Sequence, residues 1–312
     1  MRIRVALSAV LLCAAVASAA TTFYVTVAGL GGEPDYEQRF ATWAQDIDKL
    51  LKGSSPDAKV QTLKGAEATR DNLRAALATV SRESKADDAL VLMLIGHGTF
   101  DGLDYKINLP GTDLTAAELA KLLNSISAGR QLVVNMTSAS GASLETLRKD
   151  HRAVITATKS GTERNATVFG RYWVEALRDP SADTDKNEVI SALEAYRYAD
   201  QKTTKFYETQ KRLATEHPLL EDTGKGEGVR TPSPENGEGL LASRFPLLRL
   251  GAAQAAARSP EKQKLLAKKE ELEQQIDKLK YEKAAMPIEE YKKRLAVLLL
   301  DLAKTQEELE KQ

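Results

Sequence analysis

Ala89-Leu-Val-Leu-Met-Leu-Ile95 and Gln131-Leu-Val-Val-Asn-Met136 are the two runs that decide the fold. The first leads into Gly96-His97-Gly98 and the second into Thr137-Ser138-Ala139-Ser140-Gly141. Both are short, unalternating and rich in Val, Leu and Ile, the pattern of a strand buried on both faces of a parallel sheet. Thr115–Ile126, between them, has helical spacing and supplies the crossover that parallel pairing requires. Such sheets carry their sites at the carboxyl ends of the strands, so His97 and Ser138 are expected at one edge, facing one cleft.

Working outward, Thr22–Gly29, Lys59–Leu63 and Ala153–Thr158 read as further strands. Tyr36, Phe40, Trp43, Ile47 and Leu50 recur at three- and four-residue steps, which predicts a helix with an aromatic face on the sheet. Thr69–Ser81 carries Leu73, Leu77 and Val80 on one face, and Phe169–Leu177 is a further helix. Thr115 with Glu118 three residues later is a capping box. The turn-rich stretch Thr99–Leu109 suits a loop or small hairpin at the cleft rim. Alternating strands and helices of this kind predict a doubly wound, mostly parallel α/β sandwich.

An apolar strand ending in His-Gly, followed about 40 residues later by a strand ending in a nucleophile, one variable residue and Ser-Gly, resembles the caspase/legumain/gingipain clan of cysteine peptidases, its bacterial legumain-like members in particular. The resemblance covers Phe23 to Gly228, including Ala28-Gly-Leu-Gly-Gly-Glu-Pro34, Gly96-His-Gly-Thr-Phe-Asp-Gly102 and His217-Pro218. It implies a caspase/legumain-like fold in which His97 assists the nucleophile at position 138. The N–H groups of Gly98 and of residue 138 would bind the oxyanion. The chain departs from the clan at the centre of this arrangement, where Ser138 stands in place of the catalytic Cys. Legumains also carry an acidic residue two before the nucleophile; here it is Met136, so an asparagine pocket is not implied.

A thiol is partly ionised at neutral pH, whereas a serine hydroxyl needs a base in direct hydrogen-bond contact, normally oriented by a third group. No third group is identifiable from the sequence. Two readings follow. One is a proteolytically silent protein that binds peptide or protein partners; the other is an active Ser/His hydrolase using Ser138 and His97.

Composition narrows the partners. Lys+Arg and Asp+Glu are equal at 44 each, which offers no general attraction to nucleic acid or to an anionic membrane surface. Met1-Arg-Ile-Arg4, the apolar run Val5–Val16 and Ala17-Ser-Ala19 have the three parts of a secretory signal peptide, too short to span a membrane. Cleavage before Ala20 gives a secreted or periplasmic protein with no membrane span. Cys13, the only cysteine, lies inside that segment, so the mature chain would have no disulfide, no thiolate metal site and no cysteine nucleophile.

Gly29-Leu-Gly-Gly32 lacks the GxGxxG spacing and is followed by no P-loop Lys, so no nucleotide cofactor is expected. Asp183-Thr-Asp-Lys-Asn-Glu-Val-Ile-Ser-Ala-Leu-Glu194 resembles an EF-hand calcium loop, with Asp183, Asp185 and Asn187 at positions one, three and five, Ile190 at eight and Glu194 at twelve. Glu188 occupies position six, normally Gly, where a left-handed backbone costs a side chain ~1–2 kcal/mol. The competing reading is an acidic helix start with no metal. Glu221–Gly228 offers too few side-chain oxygens for a site and reads as a flexible loop.

The domain plan is a signal peptide over 1–19, the α/β domain over 20–228, a linker over 229–259 whose Pro-, Gly- and Ser-bearing part is Val229–Gly239 and whose apolar, alanine-rich Leu240–Ala257 can pack back on the domain, and a helical hairpin over 260–312. In the hairpin, Leu265, Leu272, Ile276 and Leu279 form one stripe, and Ile288, Tyr291, Leu295, Leu298, Leu302, Thr305 and Leu309 another. Ala284-Ala-Met-Pro287 breaks the run between them, which predicts an antiparallel coiled coil packed on itself. Leu299 and Leu300 widen the second helix's apolar face toward a partner or a second copy.

Overall fold

The computed structural model describes residues 20–54 and 58–311; the expected signal peptide lies outside them. The strands β1 (Thr22–Ala28), β2 (Ala58–Leu63) and β3 (Ala89–Ile95) alternate with helices α1 (Pro34–Ser54) and α2 (Arg70–Glu83). After β3 the chain forms a small antiparallel sheet of β4 (Gly98–Phe100), β5 (Tyr105–Ile107) and β6 (Leu114–Thr115), then α3 (Ala116–Asn124) and β7 (Arg130–Asn135). The short α4 (Leu144–Leu147) precedes β8 (Arg152–Thr156), α5 (Phe169–Ala176), β9 (Val189–Ser191), α6 (Ala192–Thr209) and β10 (Leu219–Glu221). The chain ends in β11 (Pro246–Arg249), α7 (Gly251–Ala257), α8 (Gln263–Glu282) and α9 (Ile288–Lys311).

The central sheet has the order β10-β8-β7-β3-β1-β2, parallel throughout except for β10 at one edge. Its strands do not alternate because both faces are covered. In β3, Ala89, Val91, Met93 and Ile95 face a core shared with α1, α5 and α6. Leu90, Leu92 and Leu94 face the core under α2 and α3. Fully burying each such side chain contributes about 1.5–3 kcal/mol, and a slip of one residue would only exchange two apolar faces, so register is carried by the strand ends. The expected α/β sandwich is therefore observed, with helices on both sides of a mostly parallel sheet.

Local signals are realised where they were strongest. Thr69 Oγ1 accepts from the Asn72 N–H at the start of α2, and Thr115 with Glu118 closes the capping box of α3. Ser191 and Glu194 form a second capping box on α6, a role the calcium-loop pattern left unread.

Within residues 229–259, expected as a linker, the apolar part Leu240–Ala257 packs back on the body. Leu248 and Arg249 pair with Ile190 and Val189, and Ala242, Phe245, Leu247 and Leu248 lie in the same core as Phe40 and Trp173. Asp222 holds the approach by accepting the N–H groups of Gly239, Leu241 and Ala242. Glu221, in the stretch read as a flexible loop, is buried and accepts from Thr223, Gly224 and Gly226. Pro, Gly and Ser here mark turns closed by buried carboxylates, which composition does not distinguish from a linker.

The C-terminal helices form the expected antiparallel pair: Lys262 Nζ, just before α8, donates to the Leu309 carbonyl near the end of α9. The hairpin does not stand alone. Arg249 makes a two-pronged bond to Glu270 of α8, and Leu266 packs with Val189, Ala253, Ala256 and Ala257. Thus α8 lies between the α/β body and α9, and Val297, Leu299 and Leu300 of α9 stay exposed. No helix among the described residues is long and apolar enough to cross a membrane.

Candidate functional site

Strand order reverses between β1 and β3, so the carboxyl ends of these neighbours open the crevice where α/β sheets place their sites. His97 follows β3 at that point, and β1 ends there in the glycine loop 29–32. The loop's N–H groups are taken by the chain: Gly29 donates to the Ile95 carbonyl, Leu30 to the Asn108 carbonyl, and Gly31 and Gly32 to Glu37 Oε1. A side chain at Gly31 would fall 2.4 Å from the Glu37 nitrogen, so glycine here serves close packing onto α1.

His97 is half-buried against α1. Its ring lies edge-on to Tyr36 at 4.8 Å and to Phe40 at 5.2 Å between centroids, beside the Gly31 backbone. Burial pulls its pKa below the usual imidazole value, against the raising effects of the Gly31 backbone and of Glu33 and Glu37. The imidazole is therefore a neutral group near pH 7, turned toward an aromatic wall.

Gly98 opens β4. Asn108 N–H bonds the His97 carbonyl, which makes Gly98 and Ile107 a non-hydrogen-bonded pair and points Gly98's own N–H and C=O away from β5. Both groups meet Ser138. The Gly98 N–H donates to Ser138 Oγ at 3.1 Å, and Ser138 Oγ donates to the Gly98 carbonyl at 3.1 Å. Ser138 is 2% exposed. Among the described residues its hydroxyl makes no hydrogen bond to His97, and its proton is engaged by a backbone carbonyl.

Beneath Ser138 a buried polar network fixes the turn. Asn135 Nδ2 donates to Tyr105 Oη and to Ser143 Oγ, and Thr137 Oγ1 donates to Asn135 Oδ1 at 2.8 Å. Tyr105 Oη lies 2.5 Å from Thr137 Oγ1, and burial pushes the phenol up to about 12. Ala139 then takes a left-handed conformation, φ 55°, with its N–H on the Glu163 carbonyl at 2.8 Å. Gly141 passes so close to the next loop that a side chain would fall 2.3 Å from the Lys159 carbonyl carbon and the Ser160 nitrogen.

Two acids that sequence reading did not single out complete this edge. Glu163 receives the Lys159 N–H, the His217 N–H and His217 Nδ1. Glu216, 2% exposed, accepts from Val168 N–H, Phe169 N–H and Tyr207 Oη, and burial raises it from 4.5 to about 7 despite those bonds. Glu163 and His217 stand 54 positions apart and come together only because α5 and α6 fold between them. No local spacing signals such a pair.

The other candidate residues form a separate site. Asp183, Asp185 and Glu194 each offer a carboxylate oxygen, and these oxygens lie within 4.8 Å of one another. Burial, then the nearby Glu194 and Asp183, push Asp185 up to about 6. Asn187 accepts from Val189 N–H through Oδ1, and its own N–H donates to Asp185 Oδ1. The structure thus gathers Asp183, Asp185, Asn187 and Glu194 in one loop, and joins Ser138 to Gly98 but not to His97.

No family model and no curated protein matches the sequence. Among solved structures the chain is similar to a structural-genomics protein of Geobacter sulfurreducens, at 13% identity and TM-score 0.46, over 74% of this chain and 99% of that one. It is also similar to caspase-1 of Spodoptera frugiperda, at 12% identity and TM-score 0.45, over 65% and 87% of the two chains. A further likeness is to the Drosophila initiator caspase Dronc, at 10% identity and TM-score 0.40, over 67% and 82%.

Proposed function

We propose that this is an exported protein of caspase/legumain-like peptidase fold that does not cleave peptides and acts by binding peptide or protein partners. The observation that carries the reading is the Ser138 hydroxyl, buried and bonded in both directions to the Gly98 backbone. A serine nucleophile must hand its proton to a base during attack, and here the neighbouring imidazole faces Tyr36, Phe40 and Gly31 instead. The Gly98 N–H, which an oxyanion would need, is already given to Ser138 Oγ. Oxygen at this position therefore acts as a latch between two loops. The exposed apolar residues of α9 offer the partner-facing surface that a binding role calls for.

Activity-probe labelling of the purified mature protein tests this. The natural chain should react with neither serine-directed fluorophosphonates nor thiol-directed peptidyl probes. Fluorophosphonate labelling that disappears in both Ser138→Ala and His97→Ala would make the protein a serine hydrolase and overturn the proposal.

A further inference from the structure

Loop 183–194 plays no part in the reading above, yet it brings two buried acids, Asp183 and Glu194, together with the exposed Asp185. Lys186 and Lys269 place their ammonium groups on the backbone carbonyls of Asp183 and Asn187, at 2.5 Å and 3.0 Å, not on the carboxylates. Among the described residues no side-chain cation pairs with the carboxylates of Asp183, Asp185 or Glu194.

One oxygen stands out. Asp183 is 5% exposed; its Oδ2 accepts the Glu188 N–H at 3.1 Å, and its Oδ1 has no hydrogen-bond partner among the described residues. It is the one buried carboxylate oxygen among them in that condition. Leaving such a group unanswered is costly, and buried charges are ordinarily paired or coordinate metals.

We propose that Asp183–Glu194 is a calcium site, with Asp183, Asp185, Asn187 and Glu194 as side-chain ligands and Val189 supplying its carbonyl at position seven. Calcium takes six to eight oxygens at ~2.3–2.6 Å, so two of its ligands can stand up to roughly 5 Å apart, and the three carboxylate oxygens, all within 4.8 Å of one another, fall inside that limit. Magnesium, with its rigid octahedral demands and reluctance to shed water, is less suited to a site built from protein oxygens. The donor set contains neither nitrogen nor sulfur ligands that would favour zinc.

The loop is already shaped. Asp185 and Asn187 are held by bonds to the residues two beyond them, Ile190 pairs with Leu248, and the capping box fixes Glu194 at the start of α6. Position six, which departs from the glycine rule, already has the conformation that rule requires: Glu188 has φ 67°. Its side chain has a separate task, since Glu188 Oε2 accepts the Ala253 N–H at 2.8 Å. The strain is thus met in folding and need not be met again when an ion binds. Glu270, Glu273 and Asp277 of α8 line the same cleft of about 400 Å³, and each already has a cationic partner in Arg249, Lys269 and Lys280 respectively, so the acids left for an ion are those of the loop.

The test uses the full mature chain stripped with EDTA. Calcium chloride at millimolar concentration should raise Tm saturably by about 4 °C or more, magnesium should do markedly less, and terbium should show sensitised luminescence that calcium displaces. Asp183→Asn and Asp185→Asn keep shape and acceptor oxygens, and each should abolish the calcium-dependent rise while leaving Tm in EDTA equal or higher. Glu194 variants are unsuitable because they also remove a helix cap. No rise in the natural chain, or an undiminished rise in both variants, would overturn the proposal; an equal response to magnesium would overturn its assignment to calcium.

Discussion

The edge around Ser138 and the loop around Asp183 are both made of buried polar groups, and they differ in what answers those groups. At Ser138 the chain answers itself: one hydroxyl meets both the N–H and the C=O of Gly98, and the network of Tyr105, Asn135, Thr137 and Ser143 closes beneath it. At Asp183 the chain stops one bond short and gathers three carboxylates around the shortfall. The residues that resemble a catalytic site are thus the self-sufficient ones. Those that resemble a metal loop include one buried carboxylate oxygen, Asp183 Oδ1, that no described residue answers.

The largest expected effect concerns a buried acid at the self-sufficient edge. Glu216 is raised from 4.5 to about 7 by burial, so the folded chain keeps a proton there that the unfolded chain has released. That contribution is fully present below about pH 4.5 and is lost as pH rises through about 7, a fall in stability of up to about 3 kcal/mol. Chemical denaturation of the natural chain and of Glu216→Gln at several pH values should show a smaller fall over this window in the variant. An unchanged slope would mean that the three donors of Glu216 outweigh its burial.

Next comes the latch. Ser138→Ala leaves two buried backbone groups of Gly98 unanswered and should cost about 2 kcal/mol, read as a lower denaturation midpoint at unchanged slope. A serine kept for catalysis predicts the reverse, since removing a functional but poorly satisfied group tends to stabilise. The sign of the change therefore separates the two readings without any substrate.

The smallest effect belongs to the other region. Glu188→Gly relieves a left-handed side chain, worth ~1–2 kcal/mol, but removes the bond that Glu188 makes to Ala253, worth about 1 kcal/mol. The two nearly cancel, so the net change should stay within about 1 kcal/mol, and the calcium response should persist. A response lost with this variant would place the side chain of Glu188, and not only its backbone, in the cation site.

How much of this was legible in advance varies with the range of the interaction. The unalternating runs 89–95 and 131–136, the capping box of Thr115 and Glu118, and the apolar spacing of α1 all act over a few residues, and the structure uses them as read. Residues 229–239 have the turn-forming composition of a tether, which looks the same in a folded loop, whereas the apolar Leu240–Ala257 already allows packing back on the domain. That Asp222 receives three N–H groups, and that Phe245 enters the core, are contacts only the tertiary structure shows. The C-terminal stripes predicted a pair of helices but not that α8 would be held to the body through Arg249 and Glu270.

By itself, then, the sequence determined the layers of the fold, the edge at which His97 and Ser138 would lie, and the loop that brings Asp183, Asp185, Asn187 and Glu194 together. These follow from periodicity and from spacings of a few residues, which backbone geometry converts directly into shared faces. Tertiary structure alone decided how those groups are used. Whether a hydroxyl faces an imidazole or a backbone carbonyl depends on where β4 crosses the turn after β7, and whether a carboxylate oxygen finds a donor depends on which elements close over it. Both are contacts between distant parts of the chain, for which local residue patterns carry no record.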